Sequence, residues 1–159
     1  MAWSTPKTDW HGETVDDVYI GDRFNAVDFN RIKNNLEYLR GLAIKMYEEF
    51  SIHSLGNDRT PKDYFYADEI NQLEENLTTI NSKTLKRSYG TPPIYVDNGN
   101  VMDFNELNRL ESAILDLYNK LTNEYEGRRM FTWNFGMKGG YKCRGHYYPL
   151  ITRTLCGTG

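Results

Sequence analysis

A chain of 159 residues is the size of one domain, or of one domain with arms. Only 39% of it is apolar while 14% is aromatic, twelve of those residues being tyrosine, a mixture that favours contact surfaces over a large private core. No unbroken apolar run nears the roughly 20 residues that cross a bilayer, and residues 1–9 lack the apolar stretch of a secretion signal, so membrane insertion and classical secretion are not expected. Two cysteines, Cys143 and Cys156, are too few for a disulfide scaffold and fit a reducing cytoplasm. The net charge of −3 hides an asymmetry: residues 1–126 hold all 22 acids and 13 of the 19 basic residues, a net −9, whereas six basic residues and no acid follow. Such a break marks a change of role along a chain.

Residues 1–23 read as an N-terminal arm. Trp3 and Trp10 flank Pro6 with neither helical nor alternating period. Two exposed tryptophans are costly in water, so the arm is expected to dock, on its own bundle or on a neighbour.

Residues 24–126 repeat one module. The segment Phe24-Asn-Ala-Val-Asp-Phe-Asn-Arg-Ile-Lys-Asn-Asn-Leu-Glu-Tyr-Leu39 returns 41 positions later as Phe65-Tyr-Ala-Asp-Glu-Ile-Asn-Gln-Leu-Glu-Glu-Asn-Leu-Thr-Thr-Ile80, and a looser copy opens at Val101-Met-Asp-Phe-Asn-Glu-Leu107 and runs through Ile114. Asn25 before Asp28, and Asn100 before Asp103, have capping-box spacing; Tyr66 replaces the cap in the second copy, although Glu69 keeps the acid. After each start comes an apolar stripe with alternating steps of three and four: Phe29, Ile32, Leu36, Leu39, Ala43, Met46 and Phe50, then Ile70, Leu73, Leu77 and Ile80, then Phe104, Leu107, Ile114, Tyr118 and Leu121. Glu111 interrupts the last stripe, with Leu110 offering a neighbouring anchor. Helices are predicted near 25–50, 66–87 and 100–125. Phe29, Ile32, Leu36, Leu39, Met46, Ile70, Leu73, Leu77, Phe104, Leu107 and Ile114 form the helix seam, packing within one chain or between subunits. The connections 51–63 and 88–100 are longer than a helical hairpin needs, which implies helices spaced apart or loops that touch something.

From residue 127 to 159 the chain is rich in glycine, aromatics and basic side chains. Short β-leaning runs, beginning with Phe131-Thr-Trp-Asn-Phe135, predict a small β or extended segment. The expected class is therefore mainly α: three helices from a capped module, an extended N-terminal arm and a small C-terminal β segment.

The residues supply no catalytic constellation, no phosphate loop and no expected cofactor. Cys143, His146 and Cys156, with His11 or His53, contain a single pair at zinc-ligand spacing, so no metal is expected. The acid pairs Asp16-Asp17, Glu48-Glu49 and Glu74-Glu75 read as solvated faces. Both ends of the chain instead offer contact residues: Trp3 and Trp10 in the arm, and Arg128, Arg129, Phe131, Trp133, Phe135, Tyr141, Tyr147 and Tyr148 in the tail. The tail would suit phosphates and stacked bases, but a body of −9 repels a polyanion and an acidic neighbouring subunit fits as well. A homo-oligomer is the expected assembly, and nucleic acid is not the expected partner.

The segments Asp28-Phe-Asn-Arg-Ile32 and Asp103-Phe-Asn-Glu-Leu107, with Thr5-Pro-Lys-Thr-Asp-Trp10 ahead of them, resemble helical segments of tail, baseplate and tail-fibre proteins from bacteriophages of Gram-positive bacteria. The resemblance covers the first half of the chain and the third helix. It implies a non-enzymatic structural protein of the virion, assembled in the host cytoplasm, binding copies of itself and other tail or baseplate proteins. The competing expectation is a tail protein that binds the host surface, a receptor or a carbohydrate, because Trp and Tyr also stack on sugar faces.

Overall fold

The computed structural model describes residues 2–16, 18–99 and 102–134. It is mainly helical: β1 (Gly12–Val15), β2 (Val18–Gly21), α1 (Ala26–Ala43), α2 (Ala67–Lys83) and α3 (Phe104–Asn134). The strands form one antiparallel hairpin with Val15 opposite Val18, and Asp16 turns the chain at a φ of 49°, a left-handed conformation that aspartate tolerates.

Local chemistry sets each helix start. The Asn25 side chain accepts from the amides of Val27 at 2.8 Å and Asp28 at 3.4 Å, while Asp28 accepts from the Asn25 amide at 3.1 Å. This is the expected capping box. In α2 only the acid's half remains: Glu69 accepts from the Tyr66 amide at 3.3 Å, and the tyrosine side chain caps nothing. In α3 the cap is Asp103, whose carboxylate accepts from the Glu106 amide at 2.9 Å, so the helix starts at Phe104; Asn100 lies outside the described residues.

Two boundaries differ from expectation. α1 stops at Ala43, short of residue 50, because the amides of Lys45 and Met46 bond three residues back and Arg40 Nε then donates to the Phe50 carbonyl at 2.8 Å. That reversal carries Phe50 into the core instead of along the helix. α3 in contrast runs past residue 125, through Gly127 to Asn134, where a β segment was expected. An ion pair of Arg128 with Glu124, four residues back, and the Arg128 bond to the Met46 carbonyl at 2.9 Å support the helix across Gly127. The strands are N-terminal; the rest of the expected C-terminal β segment, 135–159, lies outside the described residues.

All three helices point the same way. Arg31 meets Glu111, Tyr38 approaches Tyr118 and Tyr47 meets Glu124, so positions advance together along α1 and α3. Likewise Glu74 pairs with Arg109, while Tyr89, just beyond α2, reaches Asp116 further along α3. Parallel neighbours need a return crossing, and this accounts for the long connections: each lies against the helices on its way back. The stripes close one intramolecular core in which Phe29, Ile32, Leu36, Leu39, Leu73, Ile80, Leu110, Ile114, Leu117 and Leu121 are fully buried. Ile70, Leu77 and Leu107 are buried with them, and Met46 and Phe104 pack at its margin.

Candidate contact surface

The arm is locked to its own bundle. Glu111 is completely buried, and its carboxylate accepts from Arg31 Nη2 at 2.6 Å, Arg31 Nε at 3.1 Å, the Trp10 indole at 3.1 Å and the Lys7 amide at 2.8 Å. Burial alone would pull the Arg31 guanidinium down, but the carboxylates of Glu111 and Asp28 raise it above the ordinary arginine range. Trp10 is 4% exposed, and Trp3 stacks on Tyr118 with ring centres 3.9 Å apart. Trp10 is thus buried in its own bundle, and Trp3, half-buried, packs on the same bundle.

Asparagines hold the non-helical segments by paired bonds to single backbone residues. Asn35 grips Ser4, accepting from its amide at 3.0 Å and donating to its carbonyl at 2.7 Å. Asn76, 41 positions on, grips His53 in the same way at 2.7 and 2.9 Å. Asn30 grips Arg59 at 2.7 and 2.9 Å, and its repeat counterpart Asn71 grips Tyr95 at 2.9 and 2.8 Å. Asn108 closes the set on Trp10, both bonds at 2.8 Å. Thus α1 holds the segment leading to α2, α2 holds the segment leading to α3, and α3 holds the arm leading to α1. The three modules close a ring, and each non-helical segment is held against the helices beside it.

The helices start at one end, and there the apolar surface is unfinished. The large apolar side chains that remain exposed among the described residues are Val15, Val18, Tyr19 and Ile20 on the hairpin, Val27 in the first turn of α1, Tyr64 and Tyr66 before α2, and Ile94 and Val96 before α3. Tyr19, Tyr66 and Val96 among them line a groove of about 760 Å³ walled by Phe24, Phe65, Ile70, Met102, Phe104 and Leu107. The hairpin forms one wall: the Tyr19 ring lies over Gly12, where a Cβ would collide with it, and its hydroxyl donates to the Asp22 carbonyl at 2.9 Å. Asp22, Asp97 and Asp103 face Arg23 around the groove, an acidic excess. The Lys7 ammonium, with a backbone contact from His11, holds the Asp22 carboxyl below its usual range.

Tyr95 sits within this groove. Its backbone is fixed by Asn71, its side chain is 9% exposed, and its hydroxyl has no hydrogen-bond partner among the described residues. Burial pushes that hydroxyl up to about 12, helped by Glu106 and Glu74 and opposed by Arg109, so at neutral pH it is a donor. Ile94 and Val96 on either side of it point outward, 87% and 64% exposed.

Of the tail residues singled out in the sequence, Arg128 lies on α3 over the Tyr47 ring, 5.4 Å from its centre. Arg129, Phe131 and Trp133 lie on the same helix; Phe135, Tyr141, Tyr147, Tyr148, Cys143, His146 and Cys156 lie outside the described residues. His11 pairs with Asp22 and His53 with Glu75, and no group of three metal-ligating side chains occurs among the described residues. Glu74 corrects an expectation: it is not solvated but 3% exposed against Arg109, and burial raises its carboxyl despite that cation. Sequence reasoning also missed the hairpin, the asparagine grips and the core role of Glu111. No described helix is long and apolar enough to cross a membrane. No protein-family model, curated protein or solved structure matches the chain.

Proposed function

We propose that this chain is a structural component of a phage tail or baseplate, without enzymatic activity, that works by self-association and by docking to other tail proteins. The observation that carries the contact role is the gathering of exposed apolar side chains, from Val15 to Val96, at the end where all three helices start. Scattered apolar residues are ordinary, but a contiguous face beside a groove is what a partner covers. The arm and connections are consumed in closing the ring, so the fold is a rigid scaffold presenting that face. Its placement in a virion rests on the resemblance carried by Asp28–Ile32 and Asp103–Leu107. Antibody raised against the chain should decorate the tail or baseplate of purified particles in electron micrographs, with the chain present there at fixed stoichiometry. Its absence from purified particles would sink the reading.

A further inference from the structure

The groove at the helix-start end has apolar walls, and its rim carries more acid than base. Two copies meeting face to face there would set like charges opposite each other. The chain supplies a better fit. Residues 135–159 contain Lys138, Lys142, Arg144 and Arg153 with no acid, alongside Phe135, Tyr141, Tyr147 and Tyr148.

That segment starts at the opposite end of the bundle. The 31 residues of α3 carry the chain about 46 Å away from the helix starts. Returning beside its own bundle would take it past helices that already hold the arm and the two connections through Asn108, Asn30 and Asn71. A neighbouring copy placed end to end meets no such obstacle. We propose that residues 135–159 of one copy dock in the groove beside Tyr95 on the next, making a head-to-tail contact. A contact of this kind is heterologous: it continues into a ring or a filament instead of closing as a dimer. The assignment rests on the self-association proposed above and names the surfaces that perform it.

The test uses the full chain. Val96→Cys places a thiol on the groove rim, and a short thiol-to-thiol reagent joins it to the native Cys143 or Cys156 in an equal mixture of isotopically light and heavy protein. The expected result is a ladder of covalent multimers whose mass-spectrometric peptides join residue 96 of one isotope to residue 143 or 156 of the other. Exposed Thr78 on α2, changed to cysteine, is the control and should give few such links. Links within single chains only, links from 96 to 96, or a yield no higher than the Thr78→Cys control would overturn the proposal. Sedimentation of the uncrosslinked protein separates two ways of failing: an assembled protein without these links sinks the groove assignment alone, and a monomer sinks the self-association with it.

Discussion

Arg31 and Glu111, 80 positions apart, make a two-pronged ion pair at the junction of α1, α3 and the N-terminal arm. The same carboxylate holds the Trp10 indole and the Lys7 amide, so one side chain ties three parts of the chain together. Glu111→Ala would strand an indole N–H and a backbone amide and leave the buried Arg31 guanidinium with Asp28 as its remaining carboxylate. Breaking a buried pair from one side costs about 3–5 kcal/mol. Denaturant unfolding should show that loss together with a red shift of Trp10 emission.

The asparagine grips predict losses confined to particular segments. Asn76→Ala leaves both the amide and the carbonyl of His53 without their partner, at about 1–3 kcal/mol. Hydrogen exchange should quicken at His53 in this variant and at Arg59 in Asn30→Ala. Uniform acceleration across the chain in both would mean that the grips are not separable.

Much of the scaffold was legible because its signals are local. Asn25 with Asp28, and the steps of three and four from Phe29 to Leu39, specify a helix start and a buried face within a few turns. Glu111 was legible only as an interruption, since its partners Arg31, Lys7 and Trp10 stand 80, 104 and 101 positions away. Helix across Gly127 was hidden for the same reason, the Arg128 contact to Met46 spanning 82 positions. The hairpin gave no alternating pattern because β2 is exposed on both faces. The grips left a trace that local rules could have found: asparagine is a poor helix former, yet Asn30 and Asn71, and Asn35 and Asn76, occupy equivalent mid-helix places. The apolar end face belongs to the assembled ring and has no signature in any one segment.

Helix starts should respond unequally to capping changes. Asn25→Ala removes the side-chain half of a complete box and should cost α1 about 1 kcal/mol in thermal or urea unfolding. Tyr66→Asn would supply a cap that α2 lacks and should stabilise the fold by a similar amount, about 1 kcal/mol. A destabilised Tyr66→Asn protein would show that the tyrosine contributes more by packing than its 60% exposure implies.

Base should unfold the protein in a defined window. Burial and, for Tyr47, the neighbouring Glu124 raise the hydroxyls of Tyr47 and Tyr95 from 10.0 to about 12. The folded state therefore holds these protons more tightly than the unfolded chain. Their contribution is whole below pH 10 and is lost as pH rises through about 12. Circular dichroism during a base titration should show helix loss in that interval, and Tyr47→Phe should make the loss shallower.

Self-association through the two ends is the claim on which the functional account stands, and sedimentation velocity of the full chain over a wide concentration range tests it most directly. The account predicts species well above the 18.6 kDa monomer, growing with concentration, and reverting to monomer when residues 135–159 are removed while helix content stays unchanged. A full chain that sediments as an 18.6 kDa monomer at every concentration would contradict it.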